Sequence, residues 1–583
     1  MSPSSRLIAS ILLCCGISRI FGAGQPADLV LRHGKIVTAD PSFSIRSAVA
    51  VRGDRIVAVG SENDAASWIG PNTEVLDLRG KLVLPGLIDS HTHPTGAAMT
   101  EFDHPIPDME SMSDVLDYFK KRAAVTPRGR WIVLQQVFIT RLREQRYPTR
   151  AELDAAVPNH PAAFRTGPDA SFNSLALRET GIDRNFKIPA GAAGRIEKDK
   201  NGEPTGILRN ISNYVKIPSV QPKDEVPTTA DRLNRLRQLF ADYNSVGLTT
   251  ICDRDASSSA IALYRELRDR AKLNVRVAIS HDIGTQGPIG DIQKAIRAVG
   301  EHPLFKNPDD YLRIVGIKVF LDGGMLTGSA YMREPWGVSS IYGIDDPEYR
   351  GILFIPKDRL RVMVQTAVES GLQFTAHSVG DGAVHLLLDV YDEVNRETPI
   401  RNTHPCITHS NFMSKEAVDQ AARLGVAVDI QPAWLYLDTR TLVKQFGYDR
   451  LRWFQPLHSL FAQGVLAGGG SDHMQKIGSL RSINPYNPFL GMWVAITRRA
   501  RWFDGRLHSE EALTRPQAIQ FYTINNAKLL GLEQKVGSIE PGKLADFVVL
   551  DRDLLTCPED QIRNATVERT YSGGRLVYLK RKS

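Results

Sequence analysis

Eight short apolar stretches rich in β-branched residues recur between residues 86 and 472, most of them closing on small residues, histidine or aspartate. They are GLIDSHTH (86–93), GLTTICD (247–253), NVRVAIS (274–280), RIVGIKVFLDG (313–323), LQFTAHSVGD (372–381), PCITHS (405–410), GVAVDIQP (425–432) and GVLAGGGSD (464–472). Between them the apolar spacing turns helical, as in SSSAIALYRELRDRAKL, KDRLRVMVQTAVESG and SKEAVDQAARLG, the last two closed by glycine. Strand and helix alternating eight times predict an α/β fold, a (β/α)8 TIM-like barrel whose functional groups sit at the carboxyl ends of the strands. The competing arrangement, a doubly wound open sheet, would want a GxGxxG after its first strand, and none is present.

About 150 residues separate the first two strands, far more than an ordinary connection, so a subdomain is inserted after strand one, over roughly 100–225. It holds WIVLQQVF, PAAFRTG and GRIEKDKNGEPTGIL, a hairpin pattern with Asn201-Gly202 at its turn. The segment TTADRLNRLRQLFADYNSVG then reads as the first barrel helix. Outside the barrel, ADLVLRHGKIVTAD, SIRSAVAVRGDRIVAVG and TEVLDLRGKLVLPG before it resemble VGSIEPGKLADFVVLDRD and VERTYSGGRLVYL after it: short alternating strands joined at glycines. They predict one small β-sandwich built from both termini. The expected plan is a leader over 1–24, a composite sandwich from 25–84 and 535–583, and the barrel over 85–534.

Composition changes this picture little. Hydrophobic residues at 42% and charged residues at 23% of 583 suit a globular enzyme with a large core. The first 24 residues stand apart: Arg6, the apolar run LIASILLCCGI and then GAG read as a secretory signal cut near Ala23 or Gly24, which places the mature protein in the periplasm or outside the cell. The run is shorter than the ~20 residues a bilayer span needs, and no other segment is long and apolar enough, so stable membrane insertion is not expected. Two of the five cysteines lie in that leader; Cys252, Cys406 and Cys557 show no disulfide-like spacing. The formal charge of +7 loses Arg6 and Arg19 with the leader, and no basic run or nucleic-acid motif appears. The expected partners are a small-molecule substrate and, at most, further copies of the chain.

The chemistry sits at the strand ends. Residues two apart in a strand share a face, so Asp89, His91 and His93 point together. His377 closes strand five, His409 strand six and Asp472 strand eight, where a barrel places its functional groups. Burying four imidazoles and a carboxylate together is costly unless each finds a partner, and zinc or a similar divalent ion supplies one. Lys318 interrupts an otherwise apolar strand four. Burial lowers a lysine's pKa, and the neutral amine can add carbon dioxide, becoming a carbamate able to bridge two metals. The plainer alternative pairs Lys318 with Asp322. His473 has the opposite parity, and His104, His281, His385, His404 and His458 are read as packing or surface residues lying away from strand ends.

Taken in order, LPGLIDSHTH, VGIKVFLDGG, FTAHSVGDGAV, CITHSNF, GGGSDH and VGSIEPGKLADFVVLDRD resemble the amidohydrolase superfamily, and within it amidohydrolase family 3, the YtcJ-like and N-substituted formamide deformylase-like hydrolases. The resemblance runs from about residue 27 to 580. It implies a metal-dependent barrel flanked by a β-sandwich, in which His91, His93 and Asp472 hold one metal, His377 and His409 a second, and carboxylated Lys318 bridges them. One departure bears on the substrate: relatives often carry a histidine shortly before an NS-AL sequence, and here GPDASFNSLAL offers Pro168 and Asp169. DGGMLTGSAYMREPWG also varies on the relatives' loop after strand four.

The reaction these residues suggest is hydrolysis of a non-peptide, amide-type C–N bond by metal-activated hydroxide, with two zinc-like ions and Asp472 moving the proton. A mononuclear N-acyl amino acid deacylase, or a cyclic-amide or ester hydrolase, would share these ligands. A non-catalytic exported metal- or solute-binding protein is the alternative of another class. Trp336, Trp434 and Tyr436 follow strands four and seven, where they line a pocket or pack.

Overall fold

All eight apolar stretches form strands, and they lie side by side in chain order in one parallel sheet. The computed structural model describes residues 25–189, 194–217 and 226–581; the leader read over 1–24 lies outside them. The strands are Leu87–Thr92, Leu248–Ala256, Arg276–Asp282, Leu312–Phe320, Gln373–Ser378, Cys406–His409, Ala427–Ile430 and Ala467–Gly469. They are buried on both faces, as parallel strands under crossover helices must be. The first crossover helix is Thr229–Ser245, begun by a capping box in which Thr228 and Asp231 each satisfy the other's backbone N–H. Its Leu233, Leu236, Leu239 and Phe240 are buried at helical spacing.

The barrel closes where strand eight meets strand one. The Asp472 amide donates to the His91 carbonyl at 2.8 Å, and the His93 amide donates to the His473 carbonyl at 2.8 Å. Below them Asn526 spans the seam, its Nδ2 donating to the carbonyls of Ile88 at 2.6 Å and Gly469 at 2.7 Å. The glycine run before Asp472 makes this approach feasible. A Cβ on Gly470 would sit 2.9 Å from both the Cβ and the backbone nitrogen of His91.

The chain's two ends share a sheet: Leu82–Pro85 runs antiparallel to Phe547–Leu550. That six-stranded sheet and a four-stranded one from residues 29–77 make the terminal β-layers expected from the alternating pattern. Between barrel strands one and two the insertion builds its own five-stranded sheet, ordered Arg195–Lys198, Pro204–Arg209, Asp169–Phe172, Ala162–Thr166 and Ile132–Gln135. The hairpin around Asn201-Gly202 is there, with Gly202 at φ 79° and an Asp199 to Glu203 backbone bond closing the loop. Among the described residues no helix is long and apolar enough to cross a membrane.

If Asn526 holds the seam, Asn526→Ala leaves two buried carbonyls without donors. Stability should fall by roughly 1–3 kcal/mol in urea or thermal unfolding. An unchanged midpoint would show that the seam closes without it.

Candidate metal centre

Barrel strand one ends by presenting His91 and His93 from one face, and the stitched seam carries Asp472 across to meet them. The two imidazole Nε2 atoms lie 3.2 Å apart. Asp472 Oδ1 is 3.1 Å from the His93 nitrogen and 3.4 Å from the His91 nitrogen. Three donor atoms thus form a nearly equilateral triangle. Donors bound at ~2.0–2.1 Å to a tetrahedral ion stand about 3.3 Å from one another, so the donor set and its spacing fit a zinc-like ion. Asp472 and His409 both hold positive φ, 56° and 79°, a strained conformation for residues other than glycine and one that clusters at functional sites.

The row of rings continues. His409 lies 4.9 Å from His91 between centroids, and His377 lies 4.5 Å from His409. His409 Nδ1 bonds Gln431 Oε1 at 2.7 Å, which leaves its Nε2 with the lone pair. His91 Nδ1 lies 3.3 Å from Asp429 Oδ2 and 3.4 Å from the Gln431 amide nitrogen. His377 Nε2 faces the Gly323 carbonyl at 3.3 Å, which leaves its Nδ1. Gln431 in turn donates from Nε2 to Asp429 Oδ1 at 3.1 Å, and Ser90 donates to the same oxygen at 2.6 Å. Gln431, just past the end of strand seven, therefore holds the His409 ring, and Asp429 on that strand holds Gln431 in turn.

Lys318 is buried, and its charge acts on His91, His377 and His409. Its Nζ has no hydrogen-bond or ion-pair partner among the described residues and lies 5.2 Å from the Phe320 ring centroid. The alternative pairing with Asp322 is not what the structure shows, because that carboxylate accepts from the backbone amides of Tyr331, Val379 and Gly380 at 2.9–3.0 Å. Burial pulls the Lys318 pKa down against the opposing charges of Asp255 and Asp472. Burial, and then the Lys318 charge, pushes His377 down to about 3. His91 and His409 are likewise driven well below the usual imidazole range, by burial first. His93 goes the other way: burial lowers it, but its hydrogen bond to Asp472 and the charges of Asp472 and Asp253 prevail and raise it. The protein thus favours positive charge at the His93–Asp472 corner and keeps the remaining rings neutral.

His93 and Phe320, the latter 43% exposed, face the open side of the cluster. Beside it lie two cavities of about 410 and 870 Å³ that share Gln136 and Gln475 in their walls. Gln475 follows Asp472 by three residues, and none of the cluster's own side chains lines either cavity. Of the aromatic residues singled out from sequence, Trp434 stacks on His409 with centroids 4.7 Å apart, and Tyr436 lines the smaller cavity. Trp336 is packing: it is buried, and its indole donates to the Ala330 carbonyl at 2.8 Å. Asp169, at the departure from the relatives' pattern, is also buried and accepts from the Tyr147 hydroxyl at 2.8 Å and the Asn210 amide at 2.7 Å.

Among the other histidines one reading needs correction. His281 does occupy a strand end, since the third strand runs to Asp282, but its Nδ1 bonds the Asp282 carbonyl at 2.8 Å and its Nε2 faces Ser258. His473 bonds the Tyr243 hydroxyl at 2.7 Å. The sequence reading missed Asp429, Gln431 and Asn484, whose Nδ2 donates to the Asp472 carbonyl at 2.7 Å and reaches Oδ2 at 3.2 Å. For Asp429 the signal was present: a carboxylate in an apolar strand is as unusual as Lys318. Because Asp429 lies 3.3 Å from His91 Nδ1 and anchors the Gln431 amide, Asp429→Asn should weaken zinc binding ~10–100-fold in a chelator competition. Unchanged affinity would show that the ring is set by packing alone.

Known proteins resemble this chain over nearly its whole length. The amidohydrolase family model matches residues 74–578. N-substituted formamide deformylase of Arthrobacter pascens is 30% identical over 95% of this chain and 99% of its own. Putative amidohydrolase YtcJ of Bacillus subtilis is 26% identical over 91% and 97%. An uncharacterized metal-dependent hydrolase from Pyrococcus horikoshii shares the fold with a TM-score of 0.65 at 22% identity, over 91% of this chain and 99% of its own. The chain therefore belongs to the amidohydrolase family, and it is an enzyme, a hydrolase acting on carbon–nitrogen bonds other than peptide bonds.

Proposed function

We propose that the enzyme hydrolyses an amide-type C–N bond of a small substrate at a centre of two divalent ions, most simply zinc. The triangle of His91, His93 and Asp472 is the observation that carries this reading. These three would hold one ion, His377 Nδ1 and His409 Nε2 the other, and Lys318, once its neutral amine has added carbon dioxide, would bridge the pair. Divalent ions supply Lewis acidity, bringing the pKa of water toward neutrality and polarising a carbonyl.

The chain's own groups do the rest. Asp472 takes a proton from the attacking water at its carboxylate and returns it to the departing nitrogen, which leaves readily only when protonated. Asn484 holds that carboxylate by its second oxygen, so the first stays directed at the histidines. Phe320 offers an exposed apolar wall at the open side for the substrate's non-reacting part. The name of the Arthrobacter pascens relative supports an N-acyl amine as substrate, and a zinc-complexed atrazine chlorohydrolase from Arthrobacter aurescens, 15% identical and covering 94% of each chain at a TM-score of 0.50, supports a zinc-compatible fold. Export after cleavage near Ala23 or Gly24 is part of the same reading.

One observation favours a second reading, a single ion: only His91, His93 and Asp472 already lie within metal-sharing distance, 4.8 Å, of one another among the described residues. Elemental analysis separates the two, at two ions or one per chain. Lys318→Ala should lower bound metal and turnover together, by more than the ~10–100-fold typical when a ligand's supporting hydrogen bond is lost. A small carboxylic acid should partly restore both, and bicarbonate should not. Full metal content and rate in the alanine variant would remove Lys318 from the centre.

A further inference from the structure

The 410 Å³ cavity beside the metal centre has a charge imbalance that the hydrolytic machinery does not use. Five cationic side chains line it, Arg141, Lys476, Arg481, Arg501 and Arg563, against the two carboxylates of Asp108 and Glu110. Three of the cations are already committed. Arg141 is buried and forks onto Asp438, with contacts of 2.8 and 3.1 Å. Lys476 pairs with Asp108 at 3.0 Å, and Arg481 with Glu101 at 2.8 Å.

The other two are held in place but poorly compensated. Arg501 reaches Glu110 only at 3.4 Å, and that carboxylate is closer to Arg143, at 2.9 Å. Its guanidinium instead lies over Trp502, 4.0 Å from the ring centroid, and its backbone amide is tied to the Tyr436 carbonyl at 2.7 Å. Arg563, exposed, stacks over Trp493 at 4.5 Å and has no carboxylate partner among the described residues. Arg501 also donates to the Arg141 carbonyl at 3.2 Å, and it shares Glu110 with Arg143. Two guanidiniums held on indole faces at one cavity, one sharing its carboxylate with a second arginine and the other with none, are a pre-ordered receptor for a planar anion.

The cavity is close to the chemistry. Arg141 Nη1 donates to Asn484 Oδ1 at 2.8 Å, and the same amide reaches Asp472 Oδ2 at 3.2 Å, so one side chain separates the cavity wall from the metal-site carboxylate. Resting on the function proposed above, we infer that Arg501 and Arg563 form an anion subsite, and that the enzyme prefers amides carrying a carboxylate on a flexible chain of several methylenes from the scissile C–N bond. Phe138 and Tyr436, on the same wall, suit an apolar spacer. Electrostatic attraction of this kind weakens with added salt.

The test compares 6-acetamidohexanoate with its neutral methylamide. Binding is read by calorimetry on the full-length mature protein stripped of metal, and kcat/KM on the zinc-loaded protein. The carboxylate should bind at least ten-fold more tightly than the methylamide at low salt, and the ratio should shrink as salt rises. Arg501→Gln and Arg563→Gln, at a half-buried and an exposed position where misfolding is not expected, should each lower the ratio, and the double variant should bring it near one. Equal binding of the two compounds to the wild-type protein, or a ratio that survives in the double variant, overturns the subsite. A binding preference without hydrolysis of either compound keeps the subsite and counts only against the amide reaction.

Discussion

Four imidazoles, an amine and a carboxylate packed out of water at one rim of a barrel would be an expensive way to fill space. Each polar atom there must find a partner, and Asp429, Gln431 and Gly323 meet the rings of His91, His409 and His377 on one side only. On the other, the Nε2 atoms of His91 and His93 and one oxygen of Asp472 face each other, and the buried Lys318 amine has no hydrogen-bond or ion-pair partner among the described residues. Only added positive charge reconciles that arrangement with burial, and much of the surrounding architecture serves to impose it.

The imposition begins with the backbone. Parallel strands put every functional side chain at the same end, but they would leave strand eight apart from strand one if glycine did not permit the close approach at Gly470. The seam bonds then carry Asp472 into a positive-φ conformation beside His91 and His93. The insertion closes in from the other side, since Arg141, contributed by it, fixes the Asn484 amide that steadies Asp472. Metal site, seam and insertion are thus mechanically joined, and the cavity wall that would recognise a substrate is made from the same residues that orient the acid–base group.

Much of this was legible from the chain alone, because barrel strands announce themselves by periodicity and their ends by polar residues in apolar runs. Lys318, His377 and His409 stood out in that way. What escaped were groups whose role depends on contacts remote in sequence. Asn484 lies in a loop with no periodic signal, and Asp438 meets Arg141 across 297 residues of chain, a contact that no local pattern carries. His281 escaped for a different reason: its strand runs two residues further than the apolar pattern suggests. The Asp169 departure, conspicuous in sequence, proved to be a buried residue with its oxygens already engaged.

The most direct measurement is anomalous diffraction at the zinc edge from crystals of zinc-loaded protein. The account predicts two peaks per chain, one within bonding distance of His91, His93 and Asp472 and one within bonding distance of His377 and His409, with density extending from Lys318 Nζ between them. Zinc bound elsewhere, with these side chains unliganded, would contradict it.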